Sequence, residues 1–256
     1  MSNVKPTVDT YFPNLRREGE KIVDFGEPVE ARKEVHFEIF QKYFGDHATA
    51  LKPETPVAVL FMGGPASGKS SIREGYPDLA DFVVLDNDEV KAMLPEYNAL
   101  IANGDTMAAA LVHDESSYIT QILKDYAVEN RYNILLDGVG ANYPKYAALV
   151  QTLKERGYTI QIIMIDVAIE VALMRARVRK RQVPFSELQN AYYCDHVREN
   201  AKRLLQAYGA DGAIYNSHTM PPSLIWLRGG SDVTISDSDY TQLFWDGHCP
   251  EKWKVE

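Results

Sequence analysis

The residues best suited to chemistry form one short run, residues 63–71, which reads Gly-Gly-Pro-Ala-Ser-Gly-Lys-Ser-Ser. This run completes the pattern G-x-x-x-x-G-K-[ST] of a phosphate-binding loop, or P-loop. Glycines let backbone N–H groups approach a phosphate closely, and the positive end of a following helix adds to the attraction. We expect Lys69 to reach the β- and γ-phosphates and Ser70 to bind the Mg²⁺ that bridges them. The expected contacts to ATP or GTP are Gly63, Gly64, Pro65, Ala66, Ser67, Gly68, Lys69, Ser70 and Ser71.

The sequence on either side of the P-loop supplies the elements that the motif requires. Residues 57–62, Val-Ala-Val-Leu-Phe-Met, are a short apolar run typical of a buried strand, and residues 71–74 can begin a helix. A strand before the loop and a helix after it distinguish a P-loop from the alternative, a glycine-rich turn capped by Ser67.

Two further apolar runs end in carboxylates. Residues 82–85 are followed by Asp86 and Asp88, and residues 133–136 are followed by Asp137. Because such runs alternate with helical segments, the sequence predicts an α/β fold of the P-loop NTPase (kinase-like) type, a mostly parallel sheet with helices on both faces. Ligands bind at the carboxyl ends of parallel strands, so we expect the P-loop and these carboxylates to share one rim.

The carboxylates suit the transfer of a phosphoryl group to a hydroxyl. The base in such a reaction need only be well placed, because the transition state is loose and catalysis is mostly alignment and charge neutralisation. We assign this role to Asp88. Asp86 is expected near the substrate or a Mg²⁺-bound water, although either aspartate could instead cap the following helix. Asp137 has the form of a Walker B carboxylate that acts on Mg²⁺ through water, or on the acceptor.

Basic residues cluster between residues 175 and 184. We expect this segment to form a lid over the phosphates in which at least one arginine neutralises charge during transfer, with Arg175 and Arg181 as the catalytic candidates. The alternative is a solvated helix face. It must hold for some of these arginines, because alternate positions of a helix cannot all point inward.

Composition limits the remaining possibilities. The 256 residues, of which 45% are hydrophobic, suffice for one large α/β domain with additions or for two small domains. We expect residues 1–50 to form an arm and a helix (residues 30–44) that pack on the core, and residues 51–256 to form the kinase domain, decorated from about residue 209. The net charge of −9 argues against a nucleic-acid partner, because the phosphate backbone of a nucleic acid is itself negatively charged. Neither a membrane span nor a targeting segment is visible, which favours a cytoplasmic protein.

Residues 83–91, Val-Val-Leu-Asp-Asn-Asp-Glu-Val-Lys, followed closely by Pro95 and preceded by the P-loop, resemble the zeta-toxin kinases. The similarity extends over roughly residues 35–205 and includes His113, residues 132–138, Gly157, Tyr158, Arg175 and residues 181–184. The resemblance implies an enzyme that uses ATP or GTP with Mg²⁺ to phosphorylate the sugar 3′-hydroxyl of UDP-N-acetylglucosamine. It implies Asp88 as the base, Lys69 and one or two lid arginines as charge stabilisers, and a toxin role with a short antitoxin protein as partner.

The residues expected to bind the acceptor differ from those of the zeta toxins. Residues 137–141 read Asp-Gly-Val-Gly-Ala, whereas zeta toxins have Glu-Gly-Thr-Gly-Arg, and Gln121 stands where the family has a glutamate that touches the substrate. Val139 and Ala141 cannot replace the missing hydrogen bonds, and each polar substrate group left unpaired costs ~1–3 kcal/mol. These departures argue against the family's own acceptor. The acceptor therefore stays open as a small nucleotide-type molecule with a free hydroxyl, either UDP-N-acetylglucosamine or another ribose- or sugar-bearing nucleotide such as NAD.

Two other functions stay open. A polynucleotide or modified-base kinase could use the basic residues 175–181 for phosphates, with Tyr192 and Tyr193 for stacking, and its activity would fall steeply with salt. A regulatory nucleotide-binding protein that hydrolyses poorly would keep every activity after the substitution Asp88→Asn.

Overall fold

The computed structural model describes residues 5–45, 53–178, 197–208, 211–218 and 221–228. Contacts within the chain define two compact units. The first is built from residues 1–51 and 85–130, and the second from residues 52–84 and 131–256, in each case from the described parts. The expected boundary near residue 50 stays a prediction.

The strands, in chain order, are β1 (Arg16–Glu18), β2 (Lys21–Asp24), β3 (Val57–Met62), β4 (Val83–Asp86), β5 (Ile134–Asp137), β6 (Thr159–Asp166), β7 (Asp211–Asn216) and β8 (Ser223–Arg228). The helices are α1 (Thr7–Tyr11), α2 (Glu30–Phe44), α3 (Lys69–Glu74), α4 (Asn87–Met93), α5 (Pro95–Ala102), α6 (Ala108–Leu111), α7 (His113–Glu129), α8 (Tyr143–Glu155), α9 (Ile169–Val178) and α10 (Val197–Tyr208). Among the described residues, no helix has the length and apolar character needed to cross a membrane.

Six strands form one mostly parallel sheet in the order β4-β5-β3-β6-β7-β8. The pairs β3–β5, β3–β6 and β6–β7 are parallel, and the edge strand β8 runs antiparallel to β7. Nearly every residue of β3 is buried, as expected for a central strand covered on both faces. This arrangement confirms the predicted fold class.

Helices cover both faces of the sheet in the second unit. On one face, Phe61 and Ile163 pack with Ile72 of α3. On the other face, Leu205 of α10 occupies the space beside Gly212, where a Cβ atom would lie 2.4 Å from the leucine Cδ2. The glycine in β7 therefore lets α10 approach the sheet closely.

The first unit is largely helical, and α1, α2, α4 and α6 all contact α7. Val8 and Phe12 are buried, so the first 28 residues do more than form the polar arm expected from their composition. The helix expected at residues 30–44 is confirmed with those bounds. The chain breaks at Val112, so residues 108–129 form two consecutive helices, α6 and α7.

Candidate functional site

The P-loop connects β3 to α3, and its backbone requires glycine at two positions. Gly63 has φ +156°, and a Cβ atom there would lie 2.4 Å from the carbonyl oxygen of Ile165. Gly68, with φ +98°, lies in the left-handed region directly before α3, and a Cβ atom there would lie 3.3 Å from Ser217 Oγ. A side chain at either position would therefore strain or fill the loop.

The side chain of Lys69 curls back over the P-loop. Its ammonium donates to the carbonyl oxygens of Gly63, at 2.8 Å, and Gly64, at 3.3 Å. Lys69 Nζ also lies 3.9 Å from Oδ1 of Asp137. The structure thus brings the predicted phosphate-binding lysine and the predicted Walker B carboxylate together.

Asp137 reaches the P-loop because β5 pairs with β3, which places Asp137 opposite Phe61. Arg73, one helical turn after Lys69, donates to Asp137 Oδ2 at 3.3 Å. Sequence reasoning missed Arg73. Its spacing of four residues from Lys69 places both side chains on one face of α3, but the carboxylate that they share lies on another strand. Two cations therefore flank a carboxylate whose side chain is only 10% exposed.

The segment that follows Asp137 is held by its backbone. Gly138 N donates to the carbonyl oxygen of Phe61 and Gly63 N donates to that of Val139, each at 3.1 Å. The buried amide of Asn200, on α10, donates to the carbonyl oxygens of Gly140 at 3.0 Å and Ala141 at 2.9 Å. Asn200 is a further residue that sequence reasoning missed, because nothing local marks a contact between positions 60 residues apart.

Two residues of this segment, Gly138 and Val139, pack closely against neighbouring groups. Val139 packs against the cluster that contains Ala66 of the P-loop and Ala172 of α9, so it joins the loop to the helix. Gly138 lies against the Tyr146 hydroxyl, which a Cβ atom would approach to 2.1 Å. Burial raises the pKa of Tyr146 to about 12, so this hydroxyl stays protonated at neutral pH.

Arg175 lies at the P-loop, near the end of α9. One guanidinium nitrogen donates to Ser217 Oγ at 3.0 Å and to the Ser67 carbonyl oxygen at 3.4 Å, and the other contacts the Ser217 carbonyl oxygen. Ser217 Oγ in turn contacts the Ser67 carbonyl oxygen. Ser217 was not predicted. Arg181 and residues 179–184 of the expected lid lie outside the described residues, as do Tyr192 and Tyr193.

Ser67 contributes a polar atom that points into the loop. Its hydroxyl oxygen is buried and has no hydrogen-bond partner among the described residues. A Cβ atom on Gly63 would lie 2.8 Å from it, so the hydroxyl faces the space that this glycine leaves open. An unsatisfied donor in a glycine-lined loop fits a bound anion.

In the first unit, the three residues after Leu85 make different contacts. Asp86 caps α4, because its Oδ1 accepts from the Asp88 backbone N–H at 2.8 Å. Asn87 bonds to α7 through Ser117 Oγ at 3.2 Å. Asp88 Oδ1 accepts from Lys91 Nζ at 3.1 Å. The cap interpretation of Asp86 is confirmed, whereas its contact with a substrate stays a prediction.

Gln121 lies on the exposed surface of α7. Its amide donates to both carboxylate oxygens of Asp125 at 2.8 Å and accepts from Lys124 Nζ at 2.8 Å. These partners belong to its own helix. Its expected contact with the acceptor stays a prediction.

The oxygen donors near the P-loop suit Mg²⁺. They are the hydroxyl of Ser70, which is exposed, and the carboxylate of Asp137. Groups of three or more histidine, cysteine, aspartate or glutamate side chains able to hold a metal do not occur in the described part of the chain. Few protein ligands, all of them oxygens, fit a Mg²⁺ ion that takes most of its ligands from phosphates and water.

Comparison with known proteins gives one family. A family model described as Zeta toxin matches residues 41–219, which is more than half of the chain. Toxin zeta of Enterococcus hirae is 23% identical over 140 residues, covering 52% of this chain and 49% of that protein. The chain spans between 32% and 63% of the length of such curated relatives.

Solved structures of complexes show the same fold. One, from the PezAT chromosomal toxin-antitoxin system of Streptococcus pneumoniae, superimposes with a TM-score of 0.66 at 17% identity and covers 89% of this chain and 92% of that chain. Another, AvrRxo1-ORF1:-ORF2 with ATP, has a TM-score of 0.70 at 15% identity and covers 94% of this chain and 82% of that chain. At such identities, the likeness shows the fold alone.

Proposed function

The chain belongs to the zeta toxin family, and we propose that it is a kinase that transfers the γ-phosphate of ATP, or of GTP, to a hydroxyl of a small nucleotide-type acceptor. UDP-N-acetylglucosamine and NAD are the acceptors that we propose to test first. The P-loop carries this proposal, since the conformations of Gly63 and Gly68, the position of Lys69 and the neighbouring Asp137 all suit a bound nucleoside triphosphate. The solved relative that contains ATP supports the choice of donor.

We assign the donor half of the reaction to the second unit. The ammonium of Lys69 exchanges its carbonyl partners for the β- and γ-phosphate oxygens, and Arg175 adds positive charge at the same loop. Ser70 and Asp137 would hold Mg²⁺, which when bound would neutralise charge on the phosphates. Arg73 keeps the Asp137 carboxylate oriented while Lys69 serves the phosphates.

We assign the acceptor half to Asp88. Its side chain is 54% exposed, and the cap formed by Asp86 leaves Asp88 as the aspartate of this pair that is directed to solvent. Asp88 accepts the hydroxyl proton as the hydroxyl oxygen bonds to the γ-phosphorus. The bond from that phosphorus to the bridging oxygen breaks, and ADP leaves.

The decisive experiment incubates the protein with γ-labelled ATP, Mg²⁺ and separate acceptors: UDP-N-acetylglucosamine, NAD, free nucleosides and an oligonucleotide. We expect label in a small nucleotide, and a loss of at least about 100-fold in the variants Lys69→Ala and Asp88→Asn. The first removes a positive charge that stabilises the transferring phosphoryl group, and the second removes the base. Lys33→Met, which removes a lysine on α2, is the control and should retain full activity.

Equal labelling by wild type and Lys69→Ala would contradict the kinase proposal, as would label in none of the acceptors. Label in the oligonucleotide alone, with strong salt dependence, would favour the nucleic-acid kinase instead. Activity that persists in full in Asp88→Asn would reject Asp88 as the base.

We also propose an antitoxin protein as partner and a cytoplasmic site of action, where ATP is available. The solved relatives that carry a toxin and an antitoxin, or two named open reading frames, support the partner. Expression in bacteria should arrest growth, and Lys69→Ala should remove the arrest. Equal growth arrest by wild type and Lys69→Ala would reject the toxin role.

A further inference from the structure

Lys91 is a buried lysine on α4 whose role the proposed function does not explain. The whole residue is only 4% exposed, yet its ammonium donates to Oδ1 of Asp88, one helical turn earlier, at 3.1 Å. The Asp88 side chain is 54% exposed. The pair thus joins a lysine held by the protein interior to a carboxylate that faces solvent.

The backbone beneath Asp88 is fixed from two directions. Asp86 Oδ1 accepts from the Asp88 N–H at 2.8 Å, which anchors the first turn of α4. Asn87 bonds to Ser117 at 3.2 Å and accepts from Thr120 at 3.3 Å, so the same turn is tied to α7. These bonds hold the first turn of α4, and none of them is made by the Asp88 carboxylate itself.

The hydrogen bond from Lys91 acts on the Asp88 carboxylate directly. An ammonium on a buried stem has little rotational freedom, so the hydrogen bond to Asp88 selects one carboxylate orientation. The Lys91–Asp88 ion pair adds little to the stability of the fold, because one of its partners is exposed. The pair has a stronger effect if it orients a reacting group, because small misplacements of catalytic groups slow reactions greatly.

We propose that Lys91 is a positioning residue for phosphoryl transfer, whose ammonium holds the Asp88 carboxylate in the orientation that accepts the acceptor's proton. This inference rests on the proposed function, in which Asp88 is the base. In the step itself, the acceptor O–H bond breaks, its proton passes to Asp88, and the oxygen bonds to the γ-phosphorus as ADP departs. Lys91 keeps its protons throughout.

The test compares Lys91→Met, which keeps the length of the side chain without its charge, with Lys91→Arg, which keeps the charge. We expect kcat to fall about 10- to 100-fold in Lys91→Met, while the KM for ATP changes less than about twofold and Tm changes little. Lys91→Arg should recover much of kcat. The matched control is Lys33→Met, because Lys33 pairs with Glu30 at the same spacing of three residues but is 43% exposed.

The outcomes separate this inference from the proposed function. Wild-type kcat in Lys91→Met, with Lys69→Ala and Asp88→Asn inactive, would overturn the role of Lys91 and leave the kinase in place. A uniform loss in Lys91→Met and Lys91→Arg would also overturn it. Crystal structures of wild type and Lys91→Met decide the question independently of any acceptor: a turned Asp88 carboxylate supports the role, and an unchanged one rejects it.

Discussion

At the scale of single residues, the P-loop shows which features of a site a sequence motif can predict. The motif predicted the loop, its glycines and Lys69, because those residues follow from local spacing. It could not predict that Arg73 would share Asp137 with Lys69, since that contact depends on β5 pairing with β3. The phosphate-binding role of the loop could therefore be predicted from the sequence. The residues that pair with its charged side chains could not, because those contacts depend on how the strands of the sheet are paired.

Gly63 offers the sharpest test at this scale. In Gly63→Ala, the new Cβ would meet the Ile165 carbonyl oxygen at 2.4 Å, so the backbone must shift. We expect the free energy of unfolding to fall by about 1–3 kcal/mol, a typical cost of local backbone strain, and ATP binding to weaken. Denaturant unfolding and calorimetric titration with ATP measure the two effects.

Gly104→Ala is the matched control for this substitution. Gly104 also has a positive φ, +71°, but nothing lies within 4 Å of its Cβ position. It should carry the conformational cost without affecting ATP binding. Equal ATP affinity in wild type and Gly63→Ala would show that the close approach at Gly63 is not needed for the nucleotide.

At the scale of elements, three segments far apart in sequence meet at the P-loop. Arg175 extends from α9, Ser217 follows β7, and both contact the carbonyl oxygen of Ser67. Sequence reasoning did not predict β7, whose residues Asp-Gly-Ala-Ile-Tyr-Asn give only a weak strand pattern. Ser217 was missed for that reason, because its significance depends on the strand that precedes it.

Ser217→Ala tests whether this junction matters for the nucleotide. The substitution removes the hydroxyl that links Arg175 to Ser67, and a buried hydrogen bond of this kind contributes about 0.5–1.5 kcal/mol. We expect the Kd for ATP to rise roughly 2- to 10-fold, measured by titration. Ser223→Ala, which removes a 3.5 Å bond from an exposed serine to the carbonyl oxygen of Asn216, should leave the Kd unchanged. A similar shift in both variants would contradict a specific role for Ser217.

At the scale of the whole molecule, the first unit contains a buried ionic network that the sequence did not signal. Arg32, only 3% exposed, donates to Glu115 at 2.6 and 2.8 Å and to Glu96 at 2.9 Å. His36 Nε2 lies 2.7 Å from Glu115. The amphipathic pattern of α2 predicted its length but not that its arginine would point inward, because an arginine in a sequence is usually exposed.

This network predicts sensitivity to acid. Burial by itself raises the pKa of Glu115, but hydrogen bonds from His36, Arg32 and Thr7 outweigh it and lower the pKa from 4.5 to about 2. Because the folded-state pKa is lowered, the contribution of Glu115 to stability is fully present above about pH 4.5 and is lost as the pH falls towards 2. Denaturant unfolding between pH 6 and about pH 2.5 measures the loss.

Glu115→Gln should flatten that dependence and lower the free energy of unfolding at pH 7 by about 3–5 kcal/mol, because Arg32 loses a buried charge partner. Asp24→Asn, in an exposed pair with Arg16, is the control and should change stability at pH 7 little. An unchanged acid profile in Glu115→Gln would show that other carboxylates govern acid unfolding.

The same network has a consequence for biosynthesis. Arg32 and Glu115 are 83 residues apart, and the unit that they join includes chain on both sides of residues 52–84. A ribosome adds roughly 5–20 residues per second, so Arg32 emerges several seconds before Glu115 is made. During that interval α2 has neither the Glu115 carboxylate nor the helix α7 that it contacts. Nascent chains stalled before α7 should therefore be degraded by added protease faster than those stalled after it.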